Sequence, residues 1–145
     1  MGYTTEFDGT IEVVPPLSGE DAEFLVAFSD ERHEDPDDAV IYPGIWCNWA
    51  PVTQHSWVTG ARGHKTPVKT YGAGIGWNEA EKFYSSAEWM KYIIDKFLAP
   101  KGYVLNGVIE AQGEDPEDRW KLLVEDNKVL TQHAKVEFLE PMEVE

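Results

Sequence analysis

The chain has 145 residues, 42% of them hydrophobic, with 27 acidic residues against 12 lysines and arginines and a formal net charge of −15. That size and apolar content fit one core-forming domain over residues 1–145 and exclude global disorder. The charge repels phosphate backbones and anionic surfaces, so neither direct nucleic-acid binding nor membrane association is expected, and cationic partners are favoured.

From Tyr3 to Val13 the chain alternates, with Phe7, Ile11 and Val13 on one side and Glu6, Asp8, Thr10 and Glu12 on the other. A period of two predicts a strand with one buried face. The phase runs unbroken across Asp8-Gly9, so a single bulged strand is expected there rather than a hairpin. Pro15-Pro16 ends it. Ser18, followed at the third position by Asp21, opens a helix over 18–31 whose apolar face is Ala22, Leu25, Val26 and Phe28. The acidic, proline-broken stretch His33 to Asp38 reads as a solvated loop. Gly44 to Pro51 is aromatic and strand-prone.

Between Ile41 and Trp77 there is no aspartate or glutamate, only Arg62, Lys65 and Lys69, which makes this segment +3 and, since the whole is −15, the remainder −18. Within it, Val52 to Ala73 is rich in Gly, Thr and Pro and shows no period. We therefore expect a basic loop insertion at about 52–74, and loops of such length in compact domains are usually functional or disordered.

Ser85-Ser86-Ala87-Glu88 has the form of a capping box and predicts a helix over 85–98, with Trp89 and Phe97 as core residues. Pro100 and Gly102 stop it. Three strands in a meander follow: Tyr103 to Gln112, a segment with Trp120, Leu122 and Val124 on one face, and, after a turn at Asp126-Asn127, a segment with Leu130, Ala134, Val136 and Phe138. The expected fold is α+β, a mainly antiparallel sheet with two helices on one face, ferredoxin-like, and with Lys121 and His133 in water on the other face.

The search for chemistry returns mostly negatives. Gly72-Ala73-Gly74-Ile75-Gly76 does not turn directly into a helix N-terminus, which a phosphate cradle requires. His33, His55, His64 and His133 lack ligand spacing, so no metal is expected, and nothing calls for a cofactor. Glu114, Asp115, Glu117 and Asp118 form the densest acidic surface and read as a solvated hairpin end. The single Cys47 has no intramolecular disulfide partner; without an apolar leader or a long apolar run, the chain reads as cytoplasmic.

Tryptophans beside cations are the composition of binding anchors, which selects Trp49, Trp57, Arg62, His64, Lys65 and Lys69 as the candidate partner-binding set. Core tryptophans under a lid-like loop are the competing reading, and Trp46 and Trp49 differ in strand parity, so at most one of them faces the core.

Met1-Gly2-Tyr3, Trp46-Cys47-Asn48-Trp49-Ala50-Pro51, Glu81-Lys82-Phe83-Tyr84 with Glu88-Trp89, and Gly102-Tyr103-Val104-Leu105-Asn106-Gly107 leading to Gln112-Gly113-Glu114-Asp115 resemble an uncharacterised family of small bacterial and phage proteins. More distantly, the chain is similar to ferredoxin-like accessory proteins of phages and plasmids. The resemblance implies the fold and a mobile-element origin, with 52–74 inserted in a tighter hairpin. It carries no catalytic residue. Two functions are therefore weighed. One is a noncatalytic accessory protein that binds a host or phage protein with a basic surface, as a phage-encoded inhibitor of a host defence protein would. The other is a small-ligand protein or enzyme in which Arg62, His64, Lys65 and Lys69 gather a nucleotide or phosphate against a tryptophan, although no paired base or nucleophile accompanies them.

Overall fold

The computed structural model describes residues 2–34 and 40–145, the side chains of 53–58 and 66–73 excepted. The elements run β1 (Glu6–Val14), α1 (Gly19–Ser29), β2 (Trp49–Thr59), β3 (Lys65–Trp77), α2 (Ser86–Ile93), β4 (Val104–Gln112), β5 (Arg119–Glu125) and β6 (Lys128–His133). All six strands join one open sheet in the order β2-β3-β1-β4-β5-β6, and every neighbouring pair is antiparallel.

The alternation of β1 becomes its burial pattern. Phe7, Ile11 and Val13 are buried, and Glu6, Asp8, Thr10 and Glu12 are exposed. Register with β4 runs residue by residue from Glu6 opposite Gln112 to Val14 opposite Val104, so the expected bulge is absent. Gly9 stays in register opposite Ile109 at a φ of 123°, where a Cβ would meet the Val108 carbonyl oxygen at 2.6 Å.

The helices complete the core on the face that holds Phe7, Ile11, Ile75, Leu105, Ile109 and Leu122. Ser18 caps α1 as predicted, its Oγ accepting from the Asp21 N–H at 3.1 Å, and Ala22, Leu25 and Phe28 are buried. The capping box of α2 does not form: Ser85 sits in the left-handed region at φ 56° and its side chain makes no cap bond. Trp89, Met90 and Ile93 are buried nonetheless. The helix then widens into a π turn over Ile94–Leu98 and tightens into a 3-10 turn over Ala99–Lys101. This change of pitch rotates the apolar face onto Ile94 and Leu98 and leaves Phe97 only half-buried, against the expectation that it is a core residue.

Residues 52–74 are not a loop. β2 and β3 pair from Trp49 opposite Trp77 out to Thr59 opposite Lys65, closed by a 3-10 turn over Ala61–Gly63. The register shifts between Pro51 and Thr53, whose partners are Ile75 and Tyr71, so the glycine-rich run lies at a bulge. Gly74 there lets the bent strand approach β1 closely, since a Cβ would meet the Thr10 methyl at 2.4 Å.

Two further expectations change. Residues 35–39 of the acidic loop lie outside the described residues, but His33 is buried, its ring centroid 4.0 Å from that of Phe28 and its Nε2 2.8 Å from the Phe28 carbonyl oxygen. The last strand stops at His133, so Val136 and Phe138 are exposed in an irregular segment, although the Ala134 N–H still reaches the Arg119 carbonyl at 2.9 Å.

Candidate interaction surfaces

The partner-binding set read from the sequence is divided by the hairpin. Trp49 is 1% exposed; its Nε1 donates to the Ser86 carbonyl at 2.7 Å, and its ring meets Phe7 and Phe83 edge-on at 5.1 and 5.0 Å. It is a core residue at the foot of β2, where Trp46, three residues earlier, is exposed. Arg62, His64 and Lys65 are exposed at the other end of the hairpin, with Arg62 in the left-handed region at φ 64° and the His64 carbonyl accepting from Gly60. Trp49 and Thr59 are ten residue steps apart in β2, a span of about 33 Å at strand rise, so Trp49 and the tip cations cannot share a small ligand. Trp57 and Lys69 lie opposite Pro67 and His55 in the ladder, and their side chains are outside those described.

The acidic surface is more organised than a solvated turn. Glu114, Asp115 and Glu117 are exposed between β4 and β5, with Asp118 half-buried. Tyr3 Oη donates to Asp118 Oδ2 at 2.7 Å and accepts from the Asp115 N–H at 3.1 Å. The Thr4 N–H donates to Glu114 Oε1 at 2.8 Å, and Asp115 Oδ1 accepts from the Glu117 N–H at 3.0 Å. From below, Gln112 Nε2 donates to the Gly113 and Asp115 carbonyls, both at 3.1 Å. A residue more than a hundred positions away thus holds the turn.

A third surface was not singled out from the sequence. The sheet face away from the helices carries rows of side chains set by the register. Asp8, Glu110, Lys121 and Gln132 lie side by side across β1, β4, β5 and β6. The next row is Thr10, Val108, Leu123 and Leu130, followed by Glu12 and Asn106, with Glu125 opposite Lys128 on the last two strands. Val108 and Leu130 are each 45% exposed, and Leu123 is half-buried. The available signal was the consecutive apolar run Leu122-Leu123-Val124, which breaks alternation and marks a strand with apolar residues on both faces. His133 belongs to the opposite face, opposite Trp120 and stacked on it with centroids 6.0 Å apart. Lys121 alone of the two lies where it was expected.

A cleft of about 510 Å³ runs along one end of the sheet, lined by Glu6, Asp8, Glu110, Arg119, Lys121 and Trp120 among others. Three carboxylates beside its two cations oppose binding of a phosphate there. Among the described residues no group of three or more His, Cys, Asp or Glu is placed to hold a metal, and no helix is long and apolar enough to cross a membrane. Cys47 is buried, which pushes its thiol up to about 12 and disfavours the reactive thiolate at neutral pH. Comparison with known proteins found no matching family model, no matching curated protein and no matching solved structure.

Proposed function

We propose that the chain is a noncatalytic protein-binding accessory protein whose partner presents a basic surface. One observation carries this reading: Tyr3 and Thr4 hold Glu114, Asp115 and Asp118 in a fixed arrangement, so part of the ordering cost of an acidic contact surface is met before a partner arrives. Net charge adds long-range attraction to a cationic partner, raising the association rate more than the final affinity. The ferredoxin-like description belongs to the same proposal. Its support is the order β-α-β-β-α-β over β1 to β4, to which β5 and β6 add a further hairpin. The resemblance to phage and plasmid accessory proteins makes a host protein the class of partner to test.

The test is affinity capture from host lysate at low and high salt, followed by binding of the captured partner to three variants. Neutralising Glu114, Asp115 and Glu117 is expected to abolish capture, and Tyr3→Phe, which leaves net charge intact, to weaken it. Replacing Arg62, His64 and Lys65 by alanine is expected to change little, since these exposed side chains contribute within about 0.5 kcal/mol to stability and lie on a different surface. Undiminished binding by the neutralised turn would refute the proposal.

A further inference from the structure

The open sheet face has an apolar row between charged rows, and its charge is not evenly spread. Glu6, Asp8, Glu12 and Glu110 lie on β1 and β4, whereas Arg119, Lys121 and Lys128, with Glu125 as the single acid among them, lie on β5 and β6. Directly opposite like charges destabilise a sheet, and Asp8 faces Glu110 across the ladder. Such a face is short of cations on one side and offers them on the other.

We infer that this face is the interface of a twofold-symmetric pair of copies of this chain. Two sheets stacked face to face keep their strands roughly aligned. A twofold axis parallel to the strands, between β4 and β5, sets β4 of each copy over β5 of the other and β1 over β6. The register then decides the contacts. Glu110 meets the second copy's Lys121, Glu12 meets its Lys128, Val108 packs on its Leu123 and Thr10 on its Leu130. Each contact occurs twice, as an isologous interface requires. The other in-plane twofold, across the strands, would stack Asp8 on Glu12 and Lys121 on Glu125, so its repulsive and attractive pairs offset, whereas the axis parallel to the strands makes attractive pairs at both places. Four strands at sheet spacing give a footprint on the order of 500 Å² per copy, near the lower bound for a specific interface.

Segment 134–145 is the competing occupant, because Phe138, Leu139 and Met142 are almost fully exposed. It brings Glu137, Glu140, Glu143 and Glu145 against a single Lys135, and so adds acid to a face whose acids already outnumber its cations. A second copy instead sets its own Lys121 and Lys128 against the acids of β1 and β4.

The experiment measures the mass of the full chain in solution by sedimentation and light scattering, up to roughly 100 μM, a range that suits a small interface. The native chain is expected to form dimers. Glu110→Lys and Lys121→Glu are each expected to weaken dimerisation at least tenfold, since each sets like charges together at two places. An equimolar mixture of the two variants restores both pairs and is expected to dimerise to within about threefold of the native chain. That rescue needs two different copies, so neither misfolding nor a contact within one chain reproduces it. A monomeric native chain, or a mixture that stays monomeric, overturns the inference. So does dimerisation that survives both charge reversals and is lost in Phe138→Glu/Leu139→Glu, which would assign the interface to segment 134–145. The acidic turn plays no part in these measurements, so this outcome and that of the capture experiment stand separately.

Discussion

Asn127 offers a test in which turn geometry and side-chain bonding separate. The link between β5 and β6 is two residues, Asp126 and Asn127, both left-handed at φ 46° and 71°, as a type I′ turn demands. The Asn127 side chain also reaches β4: its Oδ1 accepts from the Leu105 N–H at 2.7 Å and its Nδ2 donates to the Tyr103 carbonyl at 2.9 Å. The Asn127 N–H donates to the Leu105 carbonyl at 3.1 Å, so the turn extends the ladder beyond the first β4–β5 pair, Gly107 with Val124. Two part-buried hydrogen bonds contribute about 1–3 kcal/mol together. A left-handed non-glycine residue without a local hydrogen bond costs about 1–2 kcal/mol more. Asn127→Ala is therefore expected to lose about 2–5 kcal/mol, and Asn127→Gly, which accepts the conformation, about 1–3 kcal/mol. The assay is equilibrium urea denaturation with an unchanged slope, so that midpoints report stability. If both variants unfold within about 0.5 kcal/mol of the native chain, the bonds to β4 carry no weight; if alanine costs no more than glycine, the backbone argument fails.

Three other outcomes follow from buried or charged groups. Trp89 is fully buried and its Nε1 has no hydrogen-bond partner among the described residues. Trp89→Ala is expected to cost about 3–5 kcal/mol, whereas Trp89→Phe costs far less because it also deletes an unpaired donor worth about 1–3 kcal/mol; equal losses by denaturation would show that the N–H is satisfied. Hydrogen bonds from Lys101 and Tyr103 lower the Asp21 pKa below the usual carboxylate range. The stability this contributes is complete above the unfolded-state pKa and is lost as pH falls through the folded one. Melting curves from pH 6 downward should accordingly show a steeper acid loss in the native chain than in Asp21→Asn, at about pH 4 and below. With its thiol at about 12, Cys47 should resist a thiol-reactive probe at neutral pH until the chain unfolds, so labelling should track the denaturation curve; fast labelling of native protein would contradict its burial.

Local pattern was enough for β1, for α1 with its Ser18 cap and for the order of the last three strands, because each depends on a period or a side-chain bond within a few residues. The same reasoning missed the strands between 52 and 74. Their glycines, prolines and cations have weak strand preference, and it is cross-strand pairing with a bulge that makes them extended. Phe97 shared the helical row of Trp89 in the sequence, yet the π turn displaced it, since helix pitch responds to packing that no spacing records. Trp49 had the right composition for a surface anchor. Its ring went inward because the foot of β2 lies over Phe7 and Phe83, residues distant in the chain. The candidate sites divide the same way. Charge runs and parity name the acids of the β4–β5 turn and the side chains of each strand. That Tyr3 fixes those acids, and that Glu110, Lys121, Val108 and Leu123 share one uncovered face, follows only from strand order and register. These are collective results of closing the sheet over its helices, and residues near in sequence do not encode them singly.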